Sequence, residues 1–314
     1  MDQNISLTSS NYTFTCSKKP PNALFYIVQI GWVLAIAAVL LLNLFLFYAL
    51  IKIKSLHPNI RYVLINMSAA YVVYGLGSIC HVVIDFYYST VGYDRLADNA
   101  FICILYTGLH LPFSTVPVYL SFGLGVERYI ATKRIIPEDT LMLKVKILLA
   151  VSWGLAFLNT AYSLTRKSLE ELENKEPMCF CPTFVTTSVS RIIFIMLGYG
   201  FFEMVIISLY LFVLRKCHRK VHIFGINTTA YSIVERFQMY ETIRTTKILL
   251  PSMIIHGIYM TVALSTSIFG MLYTLKHDDI SAVTTGNAWF LLSSIHPILH
   301  PIICFKQSTL LRGK

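Results

Sequence analysis

The most chemically distinctive residues of the chain are charged side chains set into long apolar runs. Glu127 and Arg128, followed by Tyr129, end one such run. An acid and a base are expensive to place in lipid, so we expect this pair to lie at a membrane interface. Glu203 lies inside another apolar run, and an ionisable residue at that depth is expected to face the interior of a helix bundle.

No catalytic motif accompanies these residues. The chain has no His-Glu-x-x-His, no Gly-x-Ser-x-Gly and no phosphate-binding Gly-x-x-x-x-Gly-Lys sequence. An intramembrane hydrolase with dispersed catalytic side chains would leave no such motif, but nothing in the sequence favours one. We therefore predict that the protein is not an enzyme and needs no cofactor and no metal ion.

The composition is that of a polytopic membrane protein. Hydrophobic residues make up 55% of the chain, charged residues make up 13%, and the mean hydropathy is +0.63. The formal net charge of +10 is spread over short segments between apolar runs, without a basic domain or a nucleic-acid-binding motif. The basic residues therefore indicate membrane topology, and we expect no nucleic-acid partner.

Seven apolar windows are each about 20 residues or longer, the length needed to cross the hydrocarbon core. They predict an all-α membrane protein, a seven-transmembrane helix bundle with crossings at residues 24–51, 61–84, 101–126, 146–164, 189–214, 247–273 and 283–305. Residues 1–23 then form an N-terminal tail, residues 24–305 the bundle, and residues 306–314 a short C-terminal tail.

The distribution of Lys and Arg predicts the orientation of the bundle. The side of the membrane that holds the segment between the first two windows carries 18 of these residues, and the opposite side carries 8. The positive-inside rule then places the N-terminus outside and the C-terminus in the cytoplasm. Two glycosylation sequons, at Asn4 and Asn11, fall in the outer tail, where they would be usable.

Four of the seven cysteines fall on the predicted outer, oxidising side. They are Cys16, Cys103, Cys179 and Cys181. A disulfide from Cys103 to Cys179 or Cys181 would hold the longest outer loop over the mouth of the bundle, and Cys16 could take the remaining cysteine. Buried free thiols are the alternative.

Several motifs at matching positions give the chain a family resemblance. They are Ser55-Leu-His-Pro-Asn-Ile60, Val126-Glu-Arg-Tyr-Ile-Ala-Thr132, Val234-Glu-Arg-Phe-Gln-Met-Tyr-Glu241, Leu249-Leu-Pro-Ser-Met-Ile-Ile-His256 and His296-Pro-Ile-Leu-His-Pro301. With seven windows and an outer N-terminus, the chain resembles a G-protein-coupled receptor. In particular, it resembles the nematode serpentine chemoreceptors of the Sra superfamily, Srab branch.

The resemblance implies a function and a location. It implies a chemosensory receptor that binds a small molecule of the odorant or tastant type and activates a heterotrimeric G protein. It also implies a multi-pass protein of the plasma membrane, in sensory neuron cilia. The chain departs from the better-known rhodopsin-like receptors, with His300-Pro301-Ile-Ile-Cys-Phe305 in place of Asn-Pro-x-x-Tyr and Pro251 without Cys-Trp-x-Pro. The activation switch of those receptors is therefore not transferred to this chain.

An ionic switch is expected at the inner end of the third helix. We expect Arg128 to pair with Glu127 and with Glu241 at rest, and an outward movement of the sixth helix to release it. A simple interfacial anchor is the alternative reading of Arg128. The residues assigned to G-protein coupling or switching are Glu127, Arg128, Tyr129, Glu241, Arg244, Pro251, His300 and Pro301, and kinks are expected at Pro112, Pro117, Pro251, Pro297 and Pro301.

Other polar residues divide between a buried switch and a ligand pocket. Glu203 lies too deep for most ligands, so we expect a buried switch pair with His256. The predicted ligand pocket in the outer half consists of His81, Asp85, Tyr106, His110, Tyr259 and Trp289, although such residues also serve as ordinary packing. A transporter or ligand-gated channel is the alternative function, and the odd number of crossings and the single buried acid argue against it.

Overall fold

The computed structural model describes residues 22–53, 56, 58–91, 111–133, 138–173, 189–226, 232–274 and 279–307. These residues form α1 (Ala23–Lys52), α2 (Pro58–Val91), α3 (Leu111–Ala131), α4 (Glu138–Glu173), α5 (Val189–Ile226), α6 (Ile233–Thr274), α7 (Asp279–Ser293) and α8 (Ile295–Gln307). The first six helices and the α7–α8 pair correspond to the seven predicted crossings. The predicted all-helical, seven-crossing fold is thus confirmed.

The first helix shows how the sequence dictates a membrane bundle. Its buried residues recur every three or four positions and include Gln29 and Asn43 among apolar side chains, whereas large apolar residues such as Leu34 and Leu41 are exposed. A helix that is apolar all round, with its few polar groups turned inward, suits a lipid environment. The side chain of Asn22 accepts a hydrogen bond from the Phe25 amide (2.9 Å) and caps the start of α1.

Four described stretches are long and apolar enough to cross a membrane by length and composition. They are Ala23–Lys52, Pro58–Tyr87, Leu143–Tyr162 and Thr284–Lys306. The helices α4, α5 and α6 extend beyond the predicted windows. The extensions of α5 and α6 carry polar and basic residues. They lie at the end of the bundle that the Lys and Arg distribution predicts to be cytoplasmic, which we call the inner end.

The core of the bundle is a continuous apolar cluster to which α1–α6 and α8 contribute. Gly123 and Gly125 bring α3 close to two neighbours at once. A Cβ atom at position 123 would lie 1.8 Å from a terminal methyl carbon of Leu148 in α4, and one at position 125 would lie 3.0 Å from the Tyr210 ring in α5. These two glycines allow the third helix to pack at the centre of the bundle.

The seventh crossing is interrupted at Ser294, between α7 and α8. Pro297 and Pro301 have no amide hydrogen to donate to the carbonyl four residues earlier, so the helix loses bonds at this point. The Asn43 side-chain amide donates to the Pro297 carbonyl (2.9 Å), which would otherwise pair with residue 301. Three of the prolines expected to kink helices lie inside helices; they are Pro117, Pro251 and Pro301. The other two, Pro112 and Pro297, lie in the first turns of described helices, where proline is tolerated.

Candidate functional site

The inner end of α3 carries a buried ion pair. The Arg128 Nε atom lies 2.9 Å from the Glu127 Oε2 atom, and Arg128 is only 3% exposed. The two side chains belong to successive residues and do not align for a hydrogen bond, so the Nε and Nη2 atoms of Arg128 have no hydrogen-bond acceptor among the described residues. Glu127 lies just beyond the predicted span 101–126. Burial raises the pKa of Glu127 above its usual value, and the nearby charges of Arg128 and Lys144 offset only part of this rise.

The predicted pairing of Arg128 with Glu241 is not present. Glu241 instead lies 3.9 Å from the guanidinium of Arg244, three residues along the same helix. The physical reason is the length of α6, which begins at Ile233 and not near the predicted window at 247. Glu241 therefore lies well inside the helix, and a different acid occupies the inner end.

That acid is Glu235, which pairs with a basic residue of α5. The Lys220 ammonium lies 3.6 Å from Glu235 and donates a hydrogen bond to the Thr132 carbonyl at the end of α3 (2.9 Å). We call Lys220, Thr132 and Glu235 the inner latch, because these three residues join α3, α5 and α6. Lys220 lies beyond the predicted fifth window, 189–214, and it meets these partners because α5 extends to Ile226.

Apolar packing accompanies the inner latch. Val213 and Cys217 of α5 form a small buried cluster with Met239 and Ile243 of α6. Tyr129 lies beside this cluster, and the ammonium groups of Lys133 and Lys216 lie 4.7 and 5.6 Å from its ring centre. Tyr129 is therefore surrounded by cations at the predicted cytoplasmic face.

A second group of polar contacts lies deeper in the bundle. The His256 Nδ1 atom of α6 lies 2.7 Å from the Glu203 Oε1 atom of α5, so the structure brings the two predicted partners together. The His256 ring packs edge-on against His296, with ring centres 4.3 Å apart. Ser252 lies 3.3 Å from His296 and 2.8 Å from His300, which connects α6 to α8.

Tyr71 and Cys304 complete this deeper group. The Tyr71 hydroxyl of α2 lies 3.0 Å from the His296 Nδ1 atom, and the Cys304 sulfur lies 3.7 Å from the His300 Nε2 atom. We call the whole group the mid-bundle cluster; its members are Tyr71, Glu203, Ser252, His256, His296, His300 and Cys304. Sequence reasoning assigned no role to Tyr71, Ser252, His296 or Cys304 here, although the spacing of His296, His300 and Cys304 at every fourth position was a usable signal.

The predicted ligand-pocket residues of α2 contact α1 and α7. Asp85 accepts a hydrogen bond from the Gln29 amide (3.3 Å), and the His81 Nε2 atom lies 3.9 Å from the same carboxylate oxygen. The His81 ring packs edge-on against Trp32 and Phe290, with ring centres 4.8 and 4.5 Å apart. These contacts join an acidic group to aromatic packing among three helices.

The remaining pocket residues are only partly described. Tyr259 is buried in α6, and the half-buried Trp289 packs edge-on against Phe290 with ring centres 5.0 Å apart. Phe290 therefore contacts both Trp289 and His81. Tyr106 and His110 lie outside the described residues.

Several other predicted features lie outside the described residues. They are the cysteines Cys16, Cys103, Cys179 and Cys181 and the sequons at Asn4 and Asn11. In the described part of the chain, Cys80, Cys217 and Cys304 are free thiols. The described residues contain no group of three or more His, Cys, Asp or Glu side chains placed to hold a metal ion.

Comparison with known families assigns the chain to a class of receptor. The family described as 7 transmembrane receptor (rhodopsin family) matches residues 42–303, from α1 to α8. The chain belongs to this family, and is thus a multi-pass membrane protein and a signalling receptor of the G-protein-coupled class. The family is one of receptors and not of enzymes. No curated protein matches the chain.

Proposed function

We propose that the protein is a chemosensory receptor that binds a small molecule in the outer half of the bundle and activates a heterotrimeric G protein. Membership of the receptor family supports a ligand and a G protein as partners. The ligand shifts the population of two helix arrangements by binding one of them more tightly. The arrangement with the higher affinity opens the inner end of the bundle.

The observation that carries this proposal is the state of Arg128. Its guanidinium is buried at the inner end of α3 and retains donors without a hydrogen bond among the described residues. A buried cation with unused donors is costly unless another group completes its shell. A carbonyl or carboxylate of an inserted G-protein segment would supply these acceptors once α6 has moved.

In this proposal α6 moves relative to α3 and α5. In the core, the Tyr210 hydroxyl of α5 donates to the Ser121 carbonyl of α3 (2.9 Å). At the inner end, α6 is held to this pair by the inner latch and a small apolar cluster. Pro251 removes a hydrogen bond of α6 beside Ser252, so α6 can bend there and displace Ser252 and His256 when its inner end moves.

The outer half offers a combination of polar and aromatic groups. His81, Asp85, Tyr259 and Trp289 lie on α2, α6 and α7, and Gln29 of α1 contacts Asp85. A few polar groups set among aromatic rings are typical of small-molecule sites. In this proposal Tyr106 and His110 complete the pocket, and a disulfide from Cys103 to the outer loop holds its mouth.

We assign the receptor to the nematode Sra superfamily, Srab branch, and to the plasma membrane of sensory neuron cilia. The motifs of the first inner loop, of α3, of α6 and of α8 support the assignment. A fluorescent fusion expressed in nematode sensory neurons tests the location. Accumulation in cilia would agree with the assignment, and retention in the cell body of correctly folded receptor would contradict it.

A ligand screen read out by G-protein activation in cells tests the function. We expect at least one volatile or soluble small molecule to activate the wild-type receptor and Arg128→Ala to abolish the response at unchanged surface level. Arg219→Ala is the matched control, because it removes the same charge from an exposed position of α5. A normal response of Arg128→Ala would overturn the role given to Arg128.

A further inference from the structure

The mid-bundle cluster has an unusual balance of acids and bases. It holds one carboxylate, Glu203, and three imidazoles, and every member is buried. The groups that face the imidazoles are the Tyr71 hydroxyl from α2, Glu203 from α5, the Ser252 hydroxyl from α6 and the Cys304 thiol from α8. Asn43 of α1 is an uncharged amide bound to the backbone of α8. One carboxylate can neutralise one imidazolium, so two of the three histidines have no counter-ion in the cluster.

The contacts fit neutral forms of His296 and His300, with all the hydrogen bonds donated in the same direction from Tyr71 to Cys304. The Tyr71 hydroxyl donates to His296 Nδ1, His296 Nε2–H donates to the Ser252 hydroxyl, that hydroxyl donates to His300 Nδ1, and His300 Nε2–H is directed at the Cys304 sulfur. Each neutral ring then uses one donor and one acceptor. A proton added to either ring would turn its accepting nitrogen into a second donor, and part of this series of hydrogen bonds would have to reverse its direction.

The 2.7 Å contact between His256 Nδ1 and Glu203 Oε1 has room for one shared proton, and the hydrogen bonds of His296 and His300 leave no ring nitrogen of theirs free to accept another. An extra charge would be buried at membrane depth without a partner, where it is expensive. Because Ser252 and His256 both belong to α6, a movement of α6 breaks the contacts to Glu203, His296 and His300. Water that enters the resulting gap can solvate charged imidazoles.

We propose that protons activate this receptor together with its ligand, by binding to His256, His296 and His300 when α6 moves. The inference rests on the α6 movement of the proposed function. Three solvated histidines with an ordinary midpoint of about 6.5 hold about 0.3 protons at pH 7.5 and about 2.7 at pH 5.5. The closed cluster holds one proton, so the open form binds more protons than the closed form only below about pH 6.8.

The sign and size of the effect follow from this proton count. Lowering the pH below that point favours the form that binds more protons, which is the open form. Between pH 6.8 and 5.5 the open-to-closed ratio should rise roughly twentyfold. Above pH 7 the closed form is favoured, and the receptor depends on its ligand alone.

Fluorine NMR of the full chain in lipid nanodiscs tests the proposal without a G protein. Trifluoromethylphenylalanine replaces the exposed Tyr240, whose position on α6 reports movement of the inner end. We expect the wild-type cluster to give a signal of the open form that grows roughly twentyfold relative to the closed form between pH 6.8 and 5.5. His296→Gln and His300→Asn, made as separate variants so that one misfolded protein does not end the test, should each flatten this response.

Two controls separate this proposal from the proposed function. The double variant His218→Asn and His222→Asn removes exposed histidines of α5 and should keep the full response. Lys220→Ala releases the inner latch and should move the probe at pH 7.5. An unchanged wild-type spectrum on acidification, or an equal response in the cluster variants, would overturn the proton proposal alone if Lys220→Ala moves the probe. A probe that moves in none of these samples would overturn the α6 movement and the proposed function with it.

Discussion

The sixth helix is held to the bundle at two places that differ in burial. At the inner latch, the Lys220 and Glu235 side chains are 26% and 21% exposed and their charged atoms are 3.6 Å apart. In the mid-bundle cluster, the Glu203 and His256 side chains are 4% and 10% exposed and their atoms are 2.7 Å apart. The first contact is accessible to solvent and the second is not.

The difference in burial indicates different roles for the inner latch and the mid-bundle cluster. A partly exposed ion pair contributes about 0–1 kcal/mol, so it can open without large cost. Removing one partner of a buried pair costs about 3–5 kcal/mol, because the other charge is left uncompensated. The inner latch is thus suited to setting the resting level of signalling, and the mid-bundle cluster to holding the helices together in the closed form.

The largest expected effect is on stability at the mid-bundle cluster. Glu203→Ala leaves His256 buried without its carboxylate partner and should lower the free energy of unfolding by about 3–5 kcal/mol. Thermal unfolding of purified receptor measures this, and Glu235→Ala at the inner latch is the comparison. Equal losses of stability at the two sites would break the distinction between them.

An intermediate effect is expected at the break in the seventh crossing. Asn43→Leu leaves the Pro297 carbonyl without a donor and should cost about 1–3 kcal/mol of stability. Leu44→Ala, at the next residue and exposed to lipid, should cost less. The same unfolding assay applies, and a smaller loss for Asn43→Leu than for Leu44→Ala would show that the Pro297 carbonyl does not need the Asn43 amide.

The smallest effect on stability, but a distinct effect on signalling, is expected at the inner latch. Lys220→Ala removes the contacts to Glu235 and Thr132 and should raise ligand-independent nucleotide exchange on a G protein by up to about fivefold. Arg219→Ala should leave the basal rate unchanged, since Arg219 is exposed on the same helix. A basal rate that rises equally in both variants would indicate a general effect of charge.

The sequence predicted most of what depends on lipid and on buried charge. The first window, 24–51, corresponds to α1 at Ala23–Lys52, because apolar runs of this length have few other stable environments. The Glu203–His256 contact was also predictable, since a buried acid needs a partner at its own depth.

The inner end was predicted less well because helix ends in water carry no hydropathy signal. The predicted window placed the start of the sixth helix near residue 247, whereas α6 begins at Ile233. Glu241 lies six residues, or about 9 Å, further along the helix than Glu235. This shift made Arg128–Glu241 the expected pair and concealed the pair that the structure contains, Lys220–Glu235.

The histidines of α8 were missed as a network for a different reason. The four-residue spacing of His296, His300 and Cys304 indicates a shared helix face, but it does not reveal that Ser252 of α6 and Tyr71 of α2 meet that face. Contacts between helices far apart in the sequence depend on packing, which one sequence does not specify.

The most direct test of the account is nucleotide exchange on a purified G protein by receptor in nanodiscs, without ligand. Lys220→Ala should raise the basal rate, and adding Arg128→Ala to the same chain should return it to the rate measured without receptor. This result would show that release of the latch acts through Arg128. A double variant as active as Lys220→Ala alone would contradict the account, because exchange would then not require the buried arginine.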